Sequence, residues 1–464
     1  MRKAKPEYSF HPLTLCLTVF LLSSNAFAQP RTAGLEVFTD SLAEEYVGST
    51  LAGLSIGVTR GDEVLLKKSY GYANLEWQVP MPMDAVHEVG SLTKQFTSVA
   101  VLQLAEQGLV NLDADIGEYL PDFDTQGRRV SVRRLMDHTS GIQGITEIPE
   151  FFELSTQAGE RTEVFRMLEE YPFEFEPGFA QIYNNSAYML LGHIIERVSG
   201  QGYAEYLEEN VYPLAGLENT TYCSNTEIVR NKATGYQYTP DGFQMARYHD
   251  HTWPYSAGSL CSTVSDILSW NHALHQGEVL SQDMYEVLIT PLTLADGWPL
   301  RYAMGVGHYM HTTGRVIEHS GGIDGFLSFA RYYPDDDVTV VVLQNALAPP
   351  GPGAITDQIG EHLFGTRHEL EPASFTGPLS RYTGEYRGAV RGGELVIRVE
   401  INEGELEAIP IMQGNQGQPQ SLNFLENDTF FNNLTYFYFE ISADGERNIL
   451  RVASPGSHYV LEQN

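Results

Sequence analysis

Ser91-Leu92-Thr93-Lys94 sets a hydroxyl and an amine three residues apart at the head of an apolar-periodic run. Phe96, Val99, Ala100, Leu104 and Ala105 recur at helical spacing and Gly108 supplies a stop, so the spacing predicts a helix opening near the serine. On that helix Ser91 and Lys94 share one face, a turn apart. A serine alcohol is a weak nucleophile until a nearby base takes its proton, and a desolvated, neutral lysine can be that base. The helix start also directs free N–H groups at any oxyanion formed there. The arrangement suits acyl transfer.

An isolated S-x-x-K arises about once by chance in a chain of this length, and then marks only a helix start with an exposed lysine. Two further stretches change its meaning. Tyr183-Asn184-Asn185 precedes the apolar run Tyr188, Leu191, Ile194, Ile195 and Val198, and His319-Ser320-Gly321-Gly322 lies beside the strand-like Phe326–Tyr333. In this order the three motifs resemble those of the penicillin-recognising serine hydrolases, in the branch of class C β-lactamases, D,D-peptidases and esterases. Leu135-Met136-Asp137-His138-Thr139-Ser140-Gly141-Ile142 is similar to the family's H-T-S-G-I stretch, Phe175-Glu176-Pro177-Gly178 to its F-x-P-G, and Pro213-Leu214-Ala215-Gly216-Leu217 to its P-L-G-M segment with one extra residue. The resemblance spans roughly residues 35–365.

It implies Ser91 as nucleophile, Lys94 as its base or the group that tunes it, and Tyr183 as a phenolate-type base and later acid. A phenol titrates near 10 in water, so that role needs a cationic neighbour, for which Lys94 is the candidate. Asn185 is expected to orient Lys94 and bond the substrate, with a helix N-cap as the plainer role for the Asn184-Asn185 pair. His319 stands where relatives carry lysine. Gly321 and Gly322 let backbone approach the substrate, and the Gly322 N–H is expected to join that of Ser91 in an oxyanion hole. His138 is expected to be structural. His249-Asp250-His251, read as alternate positions of a strand, is the best metal candidate, but no third ligand accompanies it at regular spacing. No metal and no cofactor are expected.

Arg2, Lys3 and Lys5, the apolar Leu13–Leu22 and Ala26-Phe27-Ala28 read as a cleavable export signal over residues 1–28. Its core is too short to span a bilayer. With 28 basic and 60 acidic residues the formal charge is −32. Loss of the signal removes three basic residues and Glu7, giving −34. Such a surface repels nucleic acid and anionic lipid, so the expected partner is a small-molecule or peptide substrate, with no membrane after signal removal. Of three cysteines, Cys223 and Cys261 remain, as a disulfide or as two buried thiols.

The sequence divides into the signal, a hydrolase domain over 33–365, a linker over 366–377 and a C-terminal β-domain over 378–464. The order of elements predicts an α+β fold in which a mixed sheet, built from both ends of the hydrolase domain, flanks a helical insertion with the cleft between them. A long helical, acidic middle is expected over Ile145–Gly178. Beyond Gly377, short alternating runs such as Glu394–Val399 and Glu405–Ile411 predict a small antiparallel barrel-like domain, which resembles the lipocalin-like module of many relatives. The function expected is a secreted serine hydrolase of the esterase or D-peptidase kind. A true β-lactamase and a non-catalytic sensor of wall fragments are the alternatives, with a metallohydrolase around His249 and His251 a distant third.

Overall fold

The computed structural model describes residues 30–442 and 448–463; the expected export signal lies outside them. Strands from both ends of the hydrolase domain meet in a seven-stranded sheet. Its order is Val79–Pro80, Glu63–Asn74, Gly53–Arg60, Val338–Gln344, Phe326–Tyr333, Gly314–Ile323, Gly307–His311. Every pairing is antiparallel, so the sheet is not mixed in strand direction. Gly53–Arg60 and Val338–Gln344 pair at its centre, and the latter is buried along its whole length, which explains its unbroken apolar sequence. Val340 and Val342 face the terminal helices Leu35–Tyr46 and Pro352–Phe364, packing with Leu42, Ile355 and Ile359. Val341 and Leu343 face the other way, into the core that holds Ile267 and Leu268 of helix Val264–His275. One strand therefore joins two cores by simple alternation.

On that second face lie the helices that position the site. Thr93–Glu106 packs against Asn185–Ser199, and Phe96 stacks on Trp270 with ring centroids 3.9 Å apart. Each fully buried side chain of this size contributes about 1.5–3 kcal/mol. The region 145–178 is less helical than expected. It holds a 3₁₀ turn and two short helices, Pro149–Leu154 and Glu163–Glu169, because Pro149, Gly159, Pro172 and Pro177 interrupt any longer run.

The C-terminal strands close an eight-stranded antiparallel barrel: Gly384–Val390, Gly393–Asn402, Glu405–Met412, Gln420–Glu426, Thr429–Asn432, Thr435–Glu440, Ile449–Ser454 and Ser457–Gln463. Tyr382, Tyr386, Phe430, Phe437 and Phe439 pack among Leu395, Ile397, Leu406 and Leu461, so its core is filled by side chains. Phe375, from the connecting segment, packs its ring against Tyr382, Phe424 and Phe430 and belongs to this unit.

Candidate active site

Gly90 adopts φ +53°, and the 3₁₀ turn Gly90–Leu92 carries Ser91 into helix Thr93–Glu106. Lys94 is fully buried. Its Nζ lies 2.7 Å from Ala257 O, 2.8 Å from Asn185 Oδ1 and 3.1 Å from Ser91 Oγ. Burial, with a smaller contribution from the Arg391 charge, holds this amine well below the usual lysine range. A neutral amine has two hydrogens and one lone pair. The two carbonyl oxygens accept the hydrogens, which leaves the lone pair for the Ser91 hydroxyl.

The Asn184-Asn185 pair divides its labour. Asn184 caps helix Asn185–Ser199, its Oδ1 accepting from Ala187 N at 2.9 Å, while Asn185 turns to Lys94. Tyr183 sits alongside, with Lys94 Nζ 4.8 Å from its ring centroid. Its hydroxyl is buried and makes no protein hydrogen bond among the described residues. Burial pushes its titration well above the usual phenol range, against weaker opposite pulls from Ser91 and Arg391. Burial thus disfavours a Tyr183 phenolate, and a Lys94 amine held low by its own burial is not the cation that such a phenolate would need. His138, at φ +63°, backs the Tyr183 ring at 4.4 Å and accepts from Asn184 N through Nδ1.

His319-Ser320-Gly321-Gly322 lies directly ahead of strand Phe326–Tyr333, as expected, and is itself part of a strand, Gly314–Ile323, that pairs with it. The strand runs against the nucleophile turn. A Cβ on Gly321 would fall 2.0 Å from Val89 O, and one on Gly90 would fall 2.8 Å from Gly322 N, so both positions require glycine. Ser328 Oγ donates to Val89 O at 2.7 Å and fixes the approach. His319 is buried, its Nδ1 2.5 Å from Ser320 O and its Nε2 2.9 Å from Tyr302 Oη. Burial pushes the imidazole down to about 3, so it is neutral with both nitrogens engaged.

The cleft has two lobes. One, of about 210 Å³, includes Ser91, Asn185 and Gly322 among its walls, with Ile145, Phe151, Met189, Trp253 and Pro254 as apolar lining. Arg247, His249 and Asp324 give it a polar patch. The other, of about 120 Å³, lies between Tyr183, Tyr302, His319 and Ser320 and the barrel turn Pro455-Gly456.

His249 and His251 lie in a loop, not on a strand, and their third neighbour is Glu88, which sequence spacing could not reveal. The three bring ligand atoms within 4.8 Å of one another. Lys232 Nζ already holds Glu88 Oε1 at 2.8 Å, and His249 stands 3.2 Å from Glu88 and 3.5 Å from Asp324. Burial pulls His249 down, but the two carboxylates outweigh it and raise it to about 9. An alternation of lysine, carboxylate, imidazolium and carboxylate accounts for the cluster as an ion-pair chain. Next to it Cys223 and Cys261 are joined by a disulfide, with Cα atoms 5.1 Å apart and Cys261 in register with Glu88.

Arg391 is a site neighbour that no local sequence pattern marks. It sits in the turn between the first two barrel strands, with its guanidinium 5.6 Å from the Tyr183 ring centroid.

This fold, with a serine–lysine pair at the head of its main helix, defines a serine hydrolase of the β-lactamase fold. The chain belongs to the Beta-lactamase family, whose model matches residues 39–363. It is 28% identical over 386 residues to penicillin-binding protein 4* of Bacillus subtilis (strain 168), covering 77% of this chain and 83% of that protein. It is 25% identical over 321 residues to a D-aminopeptidase of Gluconobacter oxydans (strain 621H), covering 68% of this chain but only 59% of that protein. In fold it is similar to the octameric penicillin-binding protein homologue from Pyrococcus abyssi, with TM-score 0.59, 21% identity, and coverage of 93% of this chain and 100% of that one.

Proposed function

We propose that the protein is an exported hydrolase that cleaves esters or amides of small, uncharged acyl donors through an acyl-enzyme on Ser91. The observation that carries this reading is the neutral, triply coordinated Lys94 facing Ser91 Oγ. As Oγ attacks the acyl carbon its proton passes to Lys94 Nζ, and the oxyanion forms toward the backbone N–H groups of Ser91 and Gly322. Tyr183, which keeps its proton, hands it to the leaving atom and recovers one from the Lys94 ammonium. Water then attacks the ester on Ser91, Lys94 accepts its proton and passes it to Ser91 Oγ as the acyl–oxygen bond breaks, and free acid and resting enzyme result.

The apolar lobe suits an acyl group of amino-acid size. The D-aminopeptidase among the relatives supports an amide with a D-configured acyl part. A neutral His319 offers no charge to a substrate carboxylate. Export is supported by the signal-like N-terminal sequence and by the disulfide, which suits an oxidising compartment. Among the described residues no helix is long and apolar enough to cross a membrane. The test is a hydrolysis panel of short-chain nitrophenyl esters, D- and L-aminoacyl nitroanilides, D-Ala-D-Ala peptides and nitrocefin. Turnover of esters or D-aminoacyl anilides above nitrocefin is expected. A kcat/KM for nitrocefin above that of every ester and anilide would make β-lactamase the better description.

A further inference from the structure

The barrel is sequence-distant from the catalytic motifs, yet it borders both lobes of the cleft. Its Pro455-Gly456 turn walls the lobe beside Tyr183 and His319. Its Ser457–Gln463 strand is bonded to the stretch just before Tyr183, Gln181 N donating to His458 O at 3.0 Å and His458 N to Gln181 O at 2.8 Å. The hairpin tip Arg391-Gly392 rests on the loop at the mouth of the first lobe: a Cβ on Gly392 would lie 3.6 Å from Glu147 Cγ. Arg391 donates through Nε to Glu147 Oε1 at 2.5 Å and through Nη2 to Thr146 Oγ1 at 3.1 Å. Thr146 Oγ1 in turn accepts from Asn185 Nδ2 at 3.4 Å, and Asn185 holds Lys94.

We propose that the barrel is a working part of the active site, in which Arg391 is a positioning residue that fixes Thr146 against Asn185 and places a permanent cation beside Tyr183 and Lys94. The proposal rests on the acyl-transfer reading of Ser91, Lys94 and Tyr183. In that reading Lys94 and His319 are neutral at rest, so Arg391 brings a charge that neither of them holds before the reaction starts.

The groups that face Arg391 are Glu147, its ion-pair partner, and Glu174, Tyr183, Lys94 and His138 in the hydrolase domain. Within the barrel the neighbouring Arg387 and Glu394 pair with each other. Of the Arg391–Glu147 pair it is the arginine whose charge bears on the catalytic groups. It opposes protonation of Lys94 and makes the Tyr183 phenol a readier proton donor, both in the direction the mechanism uses. A guanidinium stays charged throughout the working pH range, so this influence does not titrate away.

The test compares full-length wild type, Arg391→Met and Arg391→Lys by kcat, KM and pH–rate profile on the best substrate, with thermal midpoints as a check on folding. Arg391 is 44% exposed, so the variants are expected to fold. Arg391→Met is expected to lose about tenfold in kcat with KM little changed, because Thr146 and Asn185 lose the guanidinium that fixes their placement. The pH at which activity sets in should move upward, because Lys94 holds its proton more tightly. Arg391→Lys should restore that onset but not all of kcat, since an ammonium lacks the fork that reaches both Glu147 and Thr146. A wild-type kcat and profile in Arg391→Met, a loss of kcat with the onset unmoved, or an onset that Arg391→Lys does not restore would each overturn the proposal. Absence of turnover and of a Ser91 adduct in wild type would instead overturn the reading beneath it.

Discussion

With no exposed surface and three oxygens within 3.1 Å of its Nζ, Lys94 titrates through surroundings that favour the free amine. Activity should therefore rise with pH through an inflection well below 10, and kcat measured from pH 4 to 10 checks this; an inflection at the ordinary lysine value would contradict it. Lys94→Ala and Tyr183→Phe should each lower kcat by about 10²-fold or more, as positioned acid–base groups do. Because both serve one proton relay, the double variant should lose less than the product of the single losses. Ser91, Lys94, Tyr183 and Asn185 were legible in the sequence because each sits in a short local pattern. Glu88 and Arg391 were not. Glu88 meets His249 and His251 across 161 and 163 residues, and Arg391 meets Glu147 across 244, so no local spacing signals either contact.

At the level of elements, the apolar or alternating runs Phe326–Tyr333, Glu394–Val399 and Glu405–Ile411 match strands of the structure to within a few residues. Gly314–Ile323 escaped because His319-Ser320-Gly321-Gly322 reads as a turn, and its extended form is set by pairing with both neighbours. Gln420–Glu426 escaped because polar residues dominate it. The Glu88–His249 segment carries its own prediction. His249 titrates at about 9, above its ordinary 6.5, so the stability it contributes is full below about 6.5 and is lost as pH rises through about 9. Thermal midpoints of wild type and His249→Asn should differ most near pH 6 and converge by pH 10; a gap that widens with alkalinity would contradict the ion-pair chain. The disulfide closes a loop with a sequence separation of 38. Replacing both cysteines by serine should cost roughly 3–4 kcal/mol in denaturant unfolding, on the chain-entropy account.

At the scale of the whole molecule, the hydrolase domain, with a core on each face of its sheet, and the barrel, with a core of its own, meet at a largely polar seam. Besides the Gln181–His458 pairing, Arg301 Nη1 donates to Leu434 O at 2.9 Å, and Trp298 packs on Tyr438 with ring centroids 5.0 Å apart. Since Phe375 belongs to the barrel, a cut after Glu371 removes the unit cleanly. The remaining hydrolase domain should stay folded by circular dichroism and lose kcat, because Arg391 and the Pro455-Gly456 wall leave with the barrel. An insoluble product would refute the separate cores, and an unchanged kcat would refute the barrel's part in the site. The central claim, a covalent acyl-enzyme on Ser91, is tested most directly by intact-mass spectrometry of protein quenched during turnover of an ester or treated with a fluorophosphonate. Wild type should gain the mass of one acyl or phosphonyl group, mapped to the Ser91 peptide, and Ser91→Ala should gain none. An adduct of equal yield on Ser91→Ala would contradict it.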